Sequence, residues 1–185
     1  MKFEITPLCG ALGAEVHGID LSHDMDPANC SKIKDAFHEN IVLLFREQCL
    51  TPAQQVSFTS CFGPVEPHPL GSREGALSQP EILVLENRAD IPAPRNDFWH
   101  SDISFAECPP LGSVLYALEV PGEGLGDTLF CNMYSVLEEL SPGLQKTLEG
   151  LRAWHSAEAL VRRNNADDNN AKPITSIPSM VSHLV

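Results

Sequence analysis

Hydrophobic and polar positions in the first quarter of the chain alternate between strand-like and helix-like patterns. Residues 3–20 combine short apolar runs with glycines, which is typical of short strands and turns. After Asp26 and Pro27, an acidic N-cap with proline at the first helical position, apolar residues recur at helical spacing. Residues 41–45 then form a continuous apolar run. We therefore predict a helix from this cap, followed by a short buried strand.

A second helix is predicted from its start and stop signals. Thr51 and Gln54 have the spacing of a capping box, and Pro52 stands at the first helical position. We expect this helix to run to Phe62 and to end at Gly63.

The middle of the chain has the pattern of strands separated by loops rich in proline and glycine. Strands are predicted at residues 81–86, around His100, at 113–118 and at 128–131. Residues 64–80, 87–96 and 121–126 are predicted to be loops.

The last third of the chain returns to helical spacing. Helices are predicted at 134–140 and, after Ser141 and Pro142, at 144–151. Residues 163–172 contain no core-forming side chain, so we expect a mobile polar loop there. Residues 180–185 have the pattern of a strand that has just begun. We expect a single domain over residues 1–185 that is incomplete at its C-terminus.

Composition and net charge limit the kind of protein this is and the molecules it can bind. A chain of 185 residues with 43% apolar and 20% charged residues is typical of one soluble globular domain. It lacks both a secretion signal and an apolar run of about 18 residues, and we expect a cytoplasmic protein without a membrane span. The net charge of −13 argues against nucleic acid or an anionic membrane as partner. A small anionic substrate remains compatible, since it needs only local basic groups.

Six scattered cysteines contain no C-x-x-C pair: Cys9, Cys30, Cys49, Cys61, Cys108 and Cys131. Without a secretion signal we expect reduced thiols, most of them small core residues. A zinc or redox site built on them is not expected.

His100 and Asp102 are the pair of residues most suited to bind a metal ion. On a strand, residues two apart point to the same face with Cα atoms about 6.6 Å apart. An imidazole and a carboxylate placed in this way can supply two of the three ligands of a non-haem Fe(II) centre. A surface histidine beside a turn aspartate is the alternative interpretation of this short motif.

Several blocks between Phe3 and about His155 occur in the order found in one enzyme family. They are residues 5–8, 13–21, 44–48, 50–55, 62–63, 96–105, 109–110, 126–129, 137–141 and 151–153. On these blocks the chain resembles the TauD/TfdA family of Fe(II)/2-oxoglutarate dioxygenases, which includes taurine dioxygenase. The resemblance implies an α+β fold built on a double-stranded β-helix, a clavaminate synthase-like jelly roll with flanking helices.

The resemblance also implies roles for individual residues. His100 and Asp102 match the first two iron ligands, and Thr128 matches the threonine that hydrogen-bonds the 2-oxoglutarate carboxylate. His68 and Asn96 match residues of the substrate pocket. Thr128 could instead simply open a strand, His68 could be an ordinary loop histidine, and Asn96 could be a turn residue.

Two parts of the family pattern are missing. The distal histidine ligand and the arginine that pairs with 2-oxoglutarate have no match here. His155 and His183 are the only histidines after Asp102, neither matches that ligand, and no arginine follows His183. We therefore expect the barrel to be truncated before its C-terminal strands. Gly71 replaces a tyrosine of taurine dioxygenase, which argues against taurine as the substrate.

The resemblance implies an enzyme that uses Fe(II), with 2-oxoglutarate as cosubstrate and O₂ as oxidant. It would hydroxylate a small anionic organic substrate, such as a sulfonate or an aryloxyalkanoate, and release succinate and CO₂. Three alternatives concern the chain by itself: an inactive remnant, a binding module that needs a partner subunit, or a metal-free, cupin-like binder of sugars or acids. A homo-oligomer is compatible with the sequence.

Overall fold

The computed structural model describes residues 3–67, 79–85, 98–122, 124–167 and 180–184. These residues contain both helices and sheets, as the α+β prediction requires. The elements in chain order are β1 (Glu4–Pro7), β2 (Ala14–His17), α1 (Pro27–Asn40), β3 (Leu43–Leu44), α2 (Pro52–Thr59), α3 (Met133–Glu139), α4 (Pro142–Leu148), β4 (Arg152–His155), α5 (Glu158–Asp167) and β5 (Val181–Leu184). The chain divides into a first unit, residues 1–65 with 114–145, and a second unit, residues 66–113 with 146–185.

A small three-stranded sheet organises the first unit. β1 pairs antiparallel with β2, from Glu4 opposite His17 to Pro7 opposite Ala14, and β2 pairs parallel with β3. Helices α1 and α2 contribute apolar side chains to the core beside this sheet. The buried cluster consists of Val16, Ile19, Leu21, Ile33 and Phe58.

Helix α1 begins and ends as local hydrogen bonding requires. The Asp26 carboxylate accepts the backbone N–H of Asn29 at 2.9 Å, and Pro27 opens the helix. At the other end the N–H of Ile41 donates to the Phe37 carbonyl, with Ile41 at a positive φ of 68°. The start predicted from the sequence is confirmed. The strand predicted at 41–45 is reduced to β3, since the helix cap occupies Ile41.

Helix α2 has the predicted capping box. The Thr51 side chain accepts the backbone N–H of Gln54, and the Gln54 side chain accepts the backbone N–H of Thr51 at 2.8 Å. The predicted end at Phe62 is wrong, because α2 ends at Thr59. Beyond it the chain tightens into turns in which the N–H of Phe62 donates to the Thr59 carbonyl at 3.0 Å.

The strands predicted in the middle of the chain do not form among the described residues. Residues 82–85, 98–103, 113–118 and 128–131 have no strand assignment, and Ile103 has a positive φ of 52°. In one of these segments a side chain binds the backbone instead: the Val114 carbonyl accepts Gln55 Nε2 at 3.2 Å. An apolar run is compatible with a strand, but a strand also needs a neighbouring strand to pair with.

The helices predicted near residues 134–140 and 144–151 are confirmed as α3 and α4. The Asn132 side chain caps α3 by accepting the N–H of Tyr134 at 3.0 Å. Asn132 also donates through Nδ2 to the Ala11 carbonyl at 2.7 Å, and so ties α3 to the loop between β1 and β2.

The second unit contains the antiparallel pair β4 and β5, with Arg152 opposite Leu184 and His155 opposite Val181. The strand predicted at 180–185 is therefore confirmed. The buried cluster of the second unit consists of Phe105, Ala157 and Val161, packed against Ile103 and Leu160. The loop predicted at 163–172 is wrong for residues 163–167, which continue α5. Once Val161 anchors a helical turn, adding residues to it is cheap. Residues 168–172 lie outside the described residues.

The expectation for the cysteines is also wrong. Cys30 and Cys61 are joined by a disulfide with a Cα–Cα distance of 5.2 Å. The other four, which we expected mostly in the core, are exposed thiols. In the part of the chain described, no helix has the length and apolar character needed to cross a bilayer.

Candidate metal and cosubstrate site

His100 and Asp102 lie together in a loop of the second unit. His100 Nε2 is 3.5 Å from Asp102 Oδ1, and His100 Nδ1 is 2.8 Å from the Phe98 carbonyl oxygen. Because a carbonyl oxygen only accepts hydrogen bonds, Nδ1 must carry the proton. The lone pair of a neutral ring is then on Nε2, the nitrogen nearer to the Asp102 carboxylate.

A turn, rather than the predicted strand, brings the two side chains together. The positive φ of Ile103 bends the chain directly after Asp102, and the N–H of Ala106 donates to the Ile103 carbonyl at 2.9 Å. Ile103 and Phe105 then pack against the apolar cluster of the second unit. This packing anchors one end of the loop that carries the pair.

The pair fits a divalent metal in its separation, exposure and donor types. Two cis ligands at about 2.1 Å from one ion are about 3.0 Å apart, close to the 3.5 Å between Nε2 and Oδ1. The side chains of His100 and Asp102 are 39% and 61% exposed, so an ion can reach them. An imidazole nitrogen and a carboxylate oxygen are the donors that non-haem Fe(II) takes.

Ser113 is a neighbour of this pair that the sequence analysis missed. Its hydroxyl lies 3.5 Å from Asp102 Oδ2, a long hydrogen bond to the carboxylate oxygen that is not paired with His100. Such a bond would leave Oδ1 for a metal and restrain rotation of the carboxylate. A serine eleven residues from the aspartate carries no local signal of this contact.

The described residues bring no third ligand to the pair. No group of three or more histidine, cysteine, aspartate or glutamate side chains within the described ranges could hold a metal ion. His155 and His183 pack with ring centroids 5.3 Å apart across β4 and β5. His183 Nε2 lies 3.0 Å from the Ala106 carbonyl, which ties β5 to the end of the loop that carries Asp102.

The remaining predicted residues are placed as follows. Thr128 is exposed and belongs to the first unit, in a segment without strand structure. His68 and Asn96 lie outside the described residues, as does Gly71. The structure therefore brings together His100 and Asp102 from the set predicted from the sequence, and the other roles stay predictions.

Comparison with known proteins identifies the family of this chain. The family model described as "Taurine catabolism dioxygenase TauD, TfdA family" matches residues 4–184. The chain belongs to the TauD/TfdA family. The resemblance found from its sequence blocks is confirmed, and with it the family's dependence on Fe(II) and 2-oxoglutarate.

Individual relatives support this family assignment. The chain is 33% identical over 171 residues to the alpha-ketoglutarate-dependent 2,4-dichlorophenoxyacetate dioxygenase of Cupriavidus pinatubonensis, covering 85% of this chain and 59% of that protein. It is 34% identical over 158 residues to an alkylsulfatase of Acinetobacter baylyi, covering 85% and 48%. The crystal structure of a taurine dioxygenase from Burkholderia xenovorans superposes with a TM-score of 0.64 at 31% identity, covering 83% of this chain and 53% of that one. The chain spans about half the length of the curated relatives it matches.

Proposed function

We propose that this chain carries two of the metal ligands of an Fe(II)/2-oxoglutarate-dependent dioxygenase that hydroxylates a small anionic organic substrate. The observation that carries the proposal is the convergence of His100 Nε2 and Asp102 Oδ1, 3.5 Å apart, in a TauD/TfdA family member. The architecture we propose for the enzyme is the double-stranded β-helix, to which this chain contributes the N-terminal elements.

His100 would hold the metal through Nε2 and Asp102 through Oδ1. The Phe98 carbonyl accepts the Nδ1 proton of His100, which sets the tautomer and the ring orientation. Ser113 would restrain the carboxylate of Asp102 from its other oxygen. Bound Fe(II) with 2-oxoglutarate would supply O₂ activation, coupling decarboxylation to succinate and CO₂ with oxygen insertion into a C–H bond of the substrate.

The cosubstrate and substrate roles are proposed from the family pattern. Thr128 would donate its exposed hydroxyl to the 2-oxoglutarate carboxylate. His68 and Asn96 would contact the substrate. Relatives named for 2,4-dichlorophenoxyacetate and for sulfate esters support an aryloxyalkanoate, a sulfonate or a related acid as the substrate class. The glycine at position 71 argues against taurine.

A second candidate function is a non-catalytic module of the same fold. It would need no third metal ligand, and the described residues bring none to His100 and Asp102. Such a module would bind metal weakly through His100 and Asp102, and would not convert 2-oxoglutarate unless a partner supplied the remaining groups.

Metal titration of the purified chain tests the proposed ligands. Under anaerobic conditions we expect Fe(II) or Mn(II) to bind, and His100→Ala and Asp102→Ala each to lower the affinity by about 10-fold or more. His38→Ala, which removes an exposed histidine of α1, is the matched control and should bind as the parent does. Unchanged affinity in His100→Ala would exclude the proposed metal site.

Turnover separates the two candidate functions. Succinate release from 2-oxoglutarate is measured with 2,4-dichlorophenoxyacetate, an alkyl sulfate and an alkyl sulfonate as substrates. Fe(II)-dependent succinate that disappears in His100→Ala supports the enzyme. Metal binding without succinate supports the non-catalytic module.

A further inference from the structure

The disulfide between Cys30 and Cys61 joins two helical regions of the first unit. Cys30 is the fourth residue of α1, and Cys61 lies two residues beyond the end of α2. Their Cα atoms are 5.2 Å apart, within the range that a disulfide spans without backbone movement. The proposed dioxygenase chemistry uses neither residue.

The pair opens onto a groove of about 580 Å³ on the surface of the first unit. Both cysteines line this groove and are half-buried. Lys34 and His23 line the same groove and bring basic groups to it, alongside the acidic Asp24. The thiolate is the reactive form of cysteine.

The remaining cysteines have a different setting. Cys9, Cys49, Cys108 and Cys131 are exposed free thiols. Exposure alone therefore does not single out Cys30 and Cys61. What distinguishes them is that each has a second sulfur within bonding reach, a resolving thiol that can convert a sulfenic acid into a disulfide.

We propose that Cys30 and Cys61 form a reversible two-electron redox site that takes hydrogen peroxide as oxidant and a small dithiol as reductant. One thiolate attacks a peroxide oxygen, the O–O bond breaks, and a sulfenic acid and hydroxide form; the hydroxide takes a proton to become water. The second thiolate then attacks the sulfenic sulfur, forms the S–S bond and displaces a second hydroxide, which is also protonated. In sum, two thiols and one peroxide give one disulfide and two waters.

Oxidation ties the N-terminal half of α1 to the C-terminal end of α2. Ile33 and Phe58, one from each helix, belong to the buried cluster beneath these ends. Closing a loop between residues 31 positions apart restricts the unfolded chain more than the folded one. The oxidised form should therefore be the more heat-resistant form of the first unit.

The test compares peroxide-treated and dithiothreitol-treated chain. Remaining thiols are alkylated and the tryptic peptides are identified by mass spectrometry, while thermal unfolding is followed by circular dichroism. We expect peroxide to link the Cys30 and Cys61 peptides with loss of two hydrogen atoms and to leave the other four cysteines alkylated. The unfolding temperature should rise by about 5 °C and return after reduction.

Variants make the assignment specific. Cys30→Ser and Cys61→Ser should each remove both the link and the redox-dependent temperature shift, and Cys49→Ser should keep both. Equal alkylation of Cys30, Cys61 and Cys49 after peroxide treatment would overturn the proposal. A temperature shift that persists in Cys30→Ser would overturn it as well. Because the parent chain is compared with itself in two redox states, a variant that folds poorly does not remove the test.

Discussion

Single side chains in this protein owe their positions to hydrogen bonds with nearby backbone. His100 is oriented by the Phe98 carbonyl two residues before it, and Asp26 by the N–H of Asn29 three residues after it. Contacts of this kind follow from the local sequence, and we could predict the Asp26 cap from it. The contact of Ser113 with Asp102 spans eleven residues and depends on the path of the loop between them.

Asp26 should make the stability of α1 depend on pH. The backbone N–H of Asn29 lowers the pKa of the Asp26 carboxyl, so the charged form is favoured in the folded chain. Its stabilising effect is present above the unfolded pKa of about 3.9 and is lost as pH falls through the lower folded value. Asp26→Asn should therefore unfold at a lower temperature than the parent near neutral pH, and the gap should close in acid.

Thermal unfolding by circular dichroism at a series of pH values measures this gap. Lys32→Gln, which changes one charge on the same helix without touching the cap, serves as the control. A gap between parent and Asp26→Asn that stays constant down to the acid limit would contradict the role of the carboxylate.

Helices and strands differed in how well they could be predicted. The starts of α1 and α2 were predicted correctly because a cap, a proline and a capping box act within one turn. The strand expected around His100 was wrong, since an extended segment needs a partner strand and none pairs with it among the described residues. His100 and Asp102 nevertheless converge, through the turn at Ile103.

The capping box of α2 should carry a measurable share of the stability of the first unit. Thr51→Ala removes the side chain that accepts the Gln54 N–H, and we expect it to lower the free energy of unfolding by about 1 kcal/mol. Thr51→Ser keeps a hydroxyl at the cap and should lose only a fraction of this. Urea unfolding followed by circular dichroism distinguishes the two, and equal losses would mean that the methyl group, not the hydroxyl, stabilises α2.

At the scale of the whole molecule, the first unit exposes many apolar side chains between α2 and α4. They are Leu115, Leu118, Val120, Leu125, Leu129, Phe130, Met133, Tyr134 and Leu137, each at least half exposed. The sequence blocks of this region identify the family, but the burial of its apolar residues had to come from the structure. The exposure contrasts with the well-filled cluster around Ile33.

This exposed apolar surface should bind hydrophobic dyes. We expect the purified chain to enhance the fluorescence of anilinonaphthalene sulfonate, and Leu118→Gln combined with Leu129→Gln to reduce the enhancement by roughly half. The matched control combines Glu119→Gln with Asp127→Asn, at exposed polar positions nearby. An equal signal from parent and leucine variant would place dye binding elsewhere.

Features that depend on residues close together in the sequence could be predicted, and features that depend on residues far apart could not. Helix caps, the His-x-Asp pair and the family blocks lie within a few residues, where backbone geometry and local hydrogen bonds decide the outcome. The disulfide between Cys30 and Cys61, 31 residues apart, and the contact of His183 with Ala106, 77 residues apart, came only from the folded structure. Packing brings such pairs together, and packing depends on every side chain in the core at once.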